Sequence, residues 1–397
     1  MNFQSHPHWP SLERIYHKLV QNGYKAYLAG GCVRDALLGR VANDLDLATD
    51  ATPDTIEKLF EKTVAVGKAF GVILVVEDGI SFEVATFRSD LDYKDGRRPE
   101  SVVFTTPEED ARRRDFTVNA LFYDLYQGRV LDFVGGLNDL ADKKIRAVGV
   151  PEERFKEDHL RLMRAVRFSA QLGFAIEEQT YAAVKNLSSL IKGVSPERIH
   201  EESLKLLKSQ DAYHGLELLI DTGLAKVLFP GLPGVFQKSQ QQYHLLFPSG
   251  EKNDGILWFS FLAPWALLKD VGWEWILNHY RFSRSLFKNV KRALEQLENP
   301  THFFITTPGE RLSLLGEENT RLFLKICKKL SIETAAAAKL LEQWQKWGEK
   351  MPEPWVTGED LKSRFEGRDL GIWLHKLYTW QLEGRYSSRE ELLKQVP

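Results

Sequence analysis

The chain has 397 residues, with 43% hydrophobic and 27% charged residues, the composition of a folded globular protein rather than a disordered or membrane-embedded one. With 53 Lys+Arg against 55 Asp+Glu the formal charge is −2, so nucleic-acid binding has to come from a local basic surface. Cys32 and Cys327 are too few for a disulfide framework or a structural zinc site, which fits a reducing compartment. The first ten residues show neither a basic nor an apolar signal region, and no run of about 18 apolar residues occurs. The expectation is a cytoplasmic protein with no membrane association.

In chain order, Leu12, Ile15, Tyr16, Leu19 and Val20 recur at helical spacing and predict a helix over 11–23, capped by Ser11. A strand over 25–29 is followed by Gly30-Gly31 and a helix over 33–38, closed by Gly39. Residues 44–48 alternate Asp-Leu-Asp-Leu-Ala, the period of a half-buried strand. A helix over 53–60 and strands over 64–66, 72–77 and 82–87 complete an α+β domain ending near residue 145. Beyond Pro151 the pattern is helical: 157–172, 178–190, 196–207 and 212–222. Breaks follow at 230–233, 248–255, 300–309 and 352–358. Nine of the ten tryptophans lie between Trp258 and Trp380 and read as core of helical domains.

Three features of the first domain carry chemistry. Asp44 and Asp46, at i and i+2 of a strand, present two carboxylates on one face while Leu45 and Leu47 turn inward. Their repulsion is compensated by a bound cation, and magnesium is the usual partner of a few carboxylates plus substrate phosphates; a solvated strand face is the alternative. Upstream, Gly30 and Gly31 precede a helix start, where backbone N–H groups can approach a phosphate, and Arg34 can add charge-assisted bonds. Glu83 lies in a strand of otherwise buried types and needs either a metal or an arginine partner.

Gly30-Gly31-Cys32-Val33-Arg34-Asp35-Ala36-Leu37-Leu38-Gly39 followed by Asp44-Leu45-Asp46 closely resembles the first motif of the class II tRNA nucleotidyltransferase and bacterial poly(A) polymerase family. Arg113-Arg114-Asp115-Phe116-Thr117-Val118-Asn119-Ala120-Leu121 resembles its second motif. Glu157-Asp158-His159-Leu160-Arg161-Leu162-Met163-Arg164-Ala165-Val166-Arg167-Phe168 is similar to its nucleotide-selecting helix, and Pro196-Glu197-Arg198-Ile199-His200-Glu201-Glu202 to its last neck motif. Thr357-Gly358-Glu359-Asp360-Leu361 resembles a C-terminal signature.

The resemblance implies a polymerase-β-like head with a mixed sheet over 1–145, then helical neck (146–208), body (209–320) and tRNA-binding tail (321–397) in an elongated arrangement. It implies attack of an RNA 3′-hydroxyl on the α-phosphate of CTP or ATP, with pyrophosphate leaving. Asp44 and Asp46 would hold Mg2+ and Glu83 would help at the hydroxyl. Gly30, Gly31 and Arg34 would hold the triphosphate. Arg114, Asp115 and Asn119 would bind the nucleotide, the last two through ribose hydroxyls. Arg112 reads as a solvated basic turn.

Cytosine and adenine each offer an amino donor beside a ring-nitrogen acceptor; a carboxylate beside a guanidinium complements that pair and opposes uracil and guanine. Asp158 and Arg161, at i and i+3 of one helix, would supply it, with discrimination of order ~10⁴. The alternative is a plain surface ion pair. Arg164 fits a second nucleotide contact and Arg167 a remoter orienting role, while Arg198 and Glu202 read as an i,i+4 pair. Residues 90–99, rich in charge and glycine, read as a mobile loop of full length, which in CCA-adding relatives serves the switch from CTP to ATP.

The resulting expectation is template-independent CCA addition to tRNA, with CTP, ATP and the 3′ end and acceptor/TΨC region of tRNA as partners and no protein partner evident. Poly(A) polymerase, CC-only or A-only addition, and an inactive RNA-binding relative are the alternatives. The stretches 237–255 and 300–309 carry no functional reading.

Overall fold

The computed structural model describes residues 3–397 except 43, 94–95, 97–98, 248–249 and 271. The chain divides into two compact units, one of residues up to 228 without 203–208, the other of 203–208 and 229–397.

The first unit opens with α1 (Trp9–Gln21), whose Leu12, Ile15, Tyr16 and Leu19 are buried. The helix begins two residues earlier than expected because Pro10, with its preset φ, sits in the first turn. Ser11 is therefore not the cap; its hydroxyl donates to Asp78 Oδ2 at 2.6 Å. Then come β1 (Ala26–Ala29), α2 (Gly31–Leu37), β2 (Leu47–Thr49), α3 (Pro53–Leu59), β3 (Thr63–Gly67), β4 (Val72–Glu77) and β5 (Ile80–Thr86). Gly39, at φ +70°, ends α2 as expected, and the next amide, of Arg40, donates to the Asp35 carbonyl at 2.8 Å.

Next are β6 (Arg88–Tyr93), β7 (Pro99–Phe104), α4 (Pro107–Arg112), β8 (Phe122–Asp124), β9 (Arg129–Leu131), α5 (Gly136–Ala141) and β10 (Lys144–Ile145). The main sheet has the order β3-β4-β5-β2-β1-β8-β9. It is mixed: β2 and β5 run parallel and the other neighbours antiparallel. Leu28, Leu47, Ile73, Val75, Phe82 and Val84 pack with α1 and α2 residues in one core.

Two expectations are corrected here. The strand at 44–48 is only Leu47–Thr49, so Asp44 and Asp46 lie on its approach, although the Asp46 carbonyl still accepts from Ala29 N at 3.1 Å. The expected loop over 90–99 is largely a hairpin, β6 against β7, with Asp90 opposite Val102 and Tyr93 opposite Pro99. Aspartate disfavours strands in general, but here Asp90 is buried between Arg88 and Arg113, so tertiary pairing overrides propensity. Residues 94, 95, 97 and 98 of that expectation lie outside the described residues.

After Pro151 the unit is helical: α6 (Pro151–Glu157), α7 (Leu160–Leu172), α8 (Glu178–Leu187), α9 (Pro196–Leu207, which runs on into the second unit), α10 (Ala212–Asp221) and α11 (Leu224–Leu228). The exception is β11 (Ala175–Ile176), too short to show a period, which pairs in parallel with β10. The expected single helix over 157–172 is two. Asp158 is extended at φ −137°, ψ 106°, and its Oδ1 accepts from Leu160 N at 3.1 Å, so the carboxylate opens α7 instead of riding on it.

Among its described residues the second unit has helices and no strand. Trp258, Trp265 and Trp273 are fully buried, as the core reading expects, with Trp265 Nε1 donating to Tyr243 Oη at 3.1 Å, but Trp275 and Trp355 are exposed and Trp344, Trp347, Trp373 and Trp380 only partly buried, so that reading holds for three of the nine. Cys32 and Cys327 are buried free thiols. Among the described residues, no helix is long and apolar enough to cross a membrane.

Candidate active site

The acidic group forms where β2 and β5 run side by side. Leu47 stands opposite Val84, so Asp46, just before β2, and Glu83, one residue earlier in β5, come close enough to repel each other. Asp46 is half-buried; Asp44 and Glu83 are exposed, so Glu83 is not the buried charge the sequence suggested. Burial, then Glu83, then Asp44 push the Asp46 carboxyl up to about 7, against the opposing pull of Arg114. Such mutually repelling oxygens are the donor chemistry of a hard divalent cation. Among the described residues no three His, Cys, Asp or Glu side chains form a ready cage. A cation held here would need further ligands from water and from phosphate.

Opposite the acids lies a basic set built on the glycine turn. Gly30 has φ +72°, and its amide donates to the Leu121 carbonyl at 2.9 Å. A Cβ on Gly30 would stand 2.9 Å from Arg114 Nη1, so glycine is needed both for its backbone and for the arginine that crosses it. Arg114 is held by Asp110 Oδ2, which accepts from Nε at 3.1 Å and Nη2 at 3.0 Å, and by the Asn119 carbonyl at 3.2 Å. Its guanidinium also lies 4.8 Å from the centre of the Phe122 ring.

From α2 a chain of polar contacts runs to α7. Arg34, only 4% exposed, donates to Asp35 Oδ1 at 2.8 Å and to Asn119 Oδ1 at 2.5 Å. Asn119 Nδ2 donates to Asp115 Oδ1 at 3.3 Å, and Asp115 Oδ2 accepts from Arg164 Nε at 2.8 Å and Nη2 at 2.5 Å. Burial raises the proton affinity of Asp115, but Arg164, Arg161 and the Phe116 amide outweigh it and hold the carboxyl down at about 2. Asn119 thus bridges Arg34 and Asp115 from a short 3₁₀ turn.

Asp158 and Arg161 do not pair with each other. Asp158 Oδ2 accepts from Arg198 Nη2 at 2.7 Å. Arg161 Nη1 donates to Glu157 Oε2 at 2.6 Å and to the Arg154 carbonyl at 3.0 Å, and Nη2 to the Arg113 carbonyl at 3.1 Å. The shared helix face is lost because α6 ends before Asp158. The expected Arg198–Glu202 pair is replaced as well, since Glu202 is buried against Arg167 Nε. Arg167 Nη1 also donates to Gln171 Oε1 at 2.6 Å. Arg112 is exposed as expected, but it ends α4 instead of lying in a turn and pairs with Glu108 and Glu109 one helical turn back.

A family model described as Poly A polymerase head domain matches residues 26–146, and one described as Probable RNA and SrmB-binding site of polymerase A matches 173–234. The CCA-adding enzyme of Bacillus pumilus is 47% identical over 235 residues, 59% of this chain but only 58% of that enzyme's length. The CCA-adding enzyme of Lactobacillus delbrueckii subsp. bulgaricus is 34% identical over 391 residues, 96% of either chain. The chain belongs to the CCA-adding enzyme family. The crystal structure of the Bacillus stearothermophilus CCA-adding enzyme in complex with CTP superposes with a TM-score of 0.75 at 30% identity, covering 98% of both chains.

Within this CCA-adding family fold, several site residues escape motif reading. Asp110 is 1% exposed and joins Arg113, Arg114 and the Arg88 amide. The signal available was its spacing, i+3 and i+4 from two arginines. Glu157 anchors Arg161 at i+4 and was equally legible. Arg198 on Asp158 and Glu202 on Arg167 join residues 40 and 35 apart, and no local period could announce them.

Proposed function

We propose that the protein adds CCA to the 3′ end of tRNA without a nucleic-acid template, using CTP and ATP. The terminal RNA hydroxyl attacks the α-phosphorus, the bond to the bridging oxygen breaks, and pyrophosphate leaves. Supporting this is the meeting of Asp46 and Glu83, with Asp44, under the electrostatic reach of Arg114, in a chain related over its length to a CCA-adding enzyme.

Asp44 and Asp46 would hold the divalent ions, with Glu83 beside them at the hydroxyl. Bound magnesium would supply charge neutralisation and activation of that hydroxyl. Gly30, Gly31 and Arg34 would hold the triphosphate, and Arg114, Asp115 and Asn119 the ribose and phosphate. The base edge would meet Asp158 and Arg161, each already fixed by another partner, so that neither has to be ordered when the base arrives. Arg164 would make a second nucleotide contact and Arg167 orient from behind. The head would span 1–145, the neck 146–208, the body 209–320 and the tail 321–397, the tail meeting the acceptor/TΨC region. The setting is the cytoplasm, where tRNA and nucleoside triphosphates occur together.

Incubation with magnesium, labelled CTP and ATP, and tRNAs ending at the discriminator base, C or CC should give ordered addition that stops at CCA. The description of the matched head model favours one second reading, poly(A) synthesis. A long A tail on unrelated RNA without CTP use would establish that reading instead. Extension by CC alone or A alone would mark a specialised enzyme.

A further inference from the structure

Phe168 on α7 is 6% exposed and has three guanidinium groups around its ring. The guanidinium carbons of Arg167, Arg164 and Arg34 lie 3.7, 5.1 and 5.4 Å from the ring centre. All three distances are within the range over which a cation is attracted to an aromatic face. The ring is held edge-to-face on Phe116, centroids 5.7 Å apart at 74°, and Phe116 directly follows Asp115 in the chain.

The gathering has a cost at Arg167, whereas at Arg164 the carboxylates of Asp115 and Glu202 outweigh burial. Burial and the nearby Arg164 disfavour charge on Arg167, which Glu202 restores only in part. Arg34, Arg164 and Arg167 already have one carboxylate each, Asp35, Asp115 and Glu202. A fourth carboxylate at position 168 would steady them, but it would turn the cluster net negative and repel an anionic substrate. An aromatic face attracts cations and carries no net charge.

We propose that Phe168 is a positioning residue whose ring holds Arg34, Arg164 and Arg167 together as one preformed basic group for the nucleotide. This rests on the nucleotide-handling role given above to those arginines. Phe168 touches no reacting atom; it acts through the arginines, one from the glycine-led helix and two from α7.

Ring fluorination tests this, because it withdraws electron density from the face with little change of shape. The full-length protein is prepared with phenylalanine, 4-fluoro-, 3,5-difluoro- or 3,4,5-trifluorophenylalanine at position 168, alongside Phe168→Leu. The KM for CTP and ATP on tRNA, kcat, and the melting midpoint are measured for each. KM should rise with each fluorine, to about tenfold for the trifluoro form and for Phe168→Leu, with kcat moving less and the fluorinated forms melting like the parent. A KM indifferent to fluorine in a parent protein that adds C-C-A overturns this inference alone and leaves Phe168 a packing residue. A parent protein that takes up neither CTP nor ATP overturns both this inference and the functional reading beneath it.

Discussion

Asp158 makes its ion pair with Arg198, 2.7 Å away on α9, and not with Arg161 three residues along. The carboxylate proposed to read the base is therefore aimed from a second helix. Arg198→Met would remove that aim while leaving α7 intact. We expect KM for both nucleotides to rise about tenfold and misuse of UTP to increase, since a loosened carboxylate discriminates less. Steady-state kinetics with each of the four nucleotides checks this; unchanged selectivity would detach Arg198 from base choice.

Gly30→Ala should be damaging out of proportion to one methyl group. The added Cβ would stand 2.9 Å from Arg114 Nη1, on a backbone at φ +72°. Strain of about 1–3 kcal/mol from a positive-φ conformation (φ +72°, ψ −126°) that side chains other than glycine rarely adopt falls on stability, and displacement of Arg114 falls on nucleotide affinity. Urea unfolding and CTP titration measure the two separately.

Removal of either carboxylate proposed to hold the metal should end turnover. Asp46→Ala and Asp44→Ala are each expected to lower the rate by at least about 10³-fold, because the proposed catalysis consists of charge neutralisation and positioning. Glu83→Gln should be milder. Pyrophosphate release follows the rate, and melting midpoints near the parent's would show that the folds persist.

Acid should weaken the first unit through Asp115. Its folded carboxyl titrates at about 2, below the ordinary 3.8, because Arg164 is beside it. A depressed folded pKa adds stability that is complete above the unfolded value and disappears as pH falls through the folded one. About 2 kcal/mol should therefore be lost between roughly pH 5 and pH 2. Denaturant midpoints across that window should fall more steeply for the parent than for Asp115→Asn, which has no such proton to take up.

Local chemistry made much of the chain up to residue 207 legible. β4 and α9 have their expected bounds, and the glycine turn with Arg34, Arg114, Asp115 and Asn119 comes together as the motifs imply. Partnerships across long separations were not legible. Asp158 looked helical because its neighbours are, yet its carboxylate is used twice, by the Leu160 amide and by Arg198. The 88–104 hairpin was hidden because its aspartates oppose strand formation until Arg88 and Arg113 are in place. Glu83 looked buried because Phe82 and Val84 are, but strand alternation turns it to the other face.

The run of contacts Asp35, Arg34, Asn119, Asp115, Arg164 works like a calliper. One jaw is the glycine-led turn and the other is the helix that follows Asp158. Since every joint is a charged or amide hydrogen bond between largely enclosed groups, the gap between the jaws has a set width. In the proposed function, a nucleotide held from both jaws would have to match that spacing.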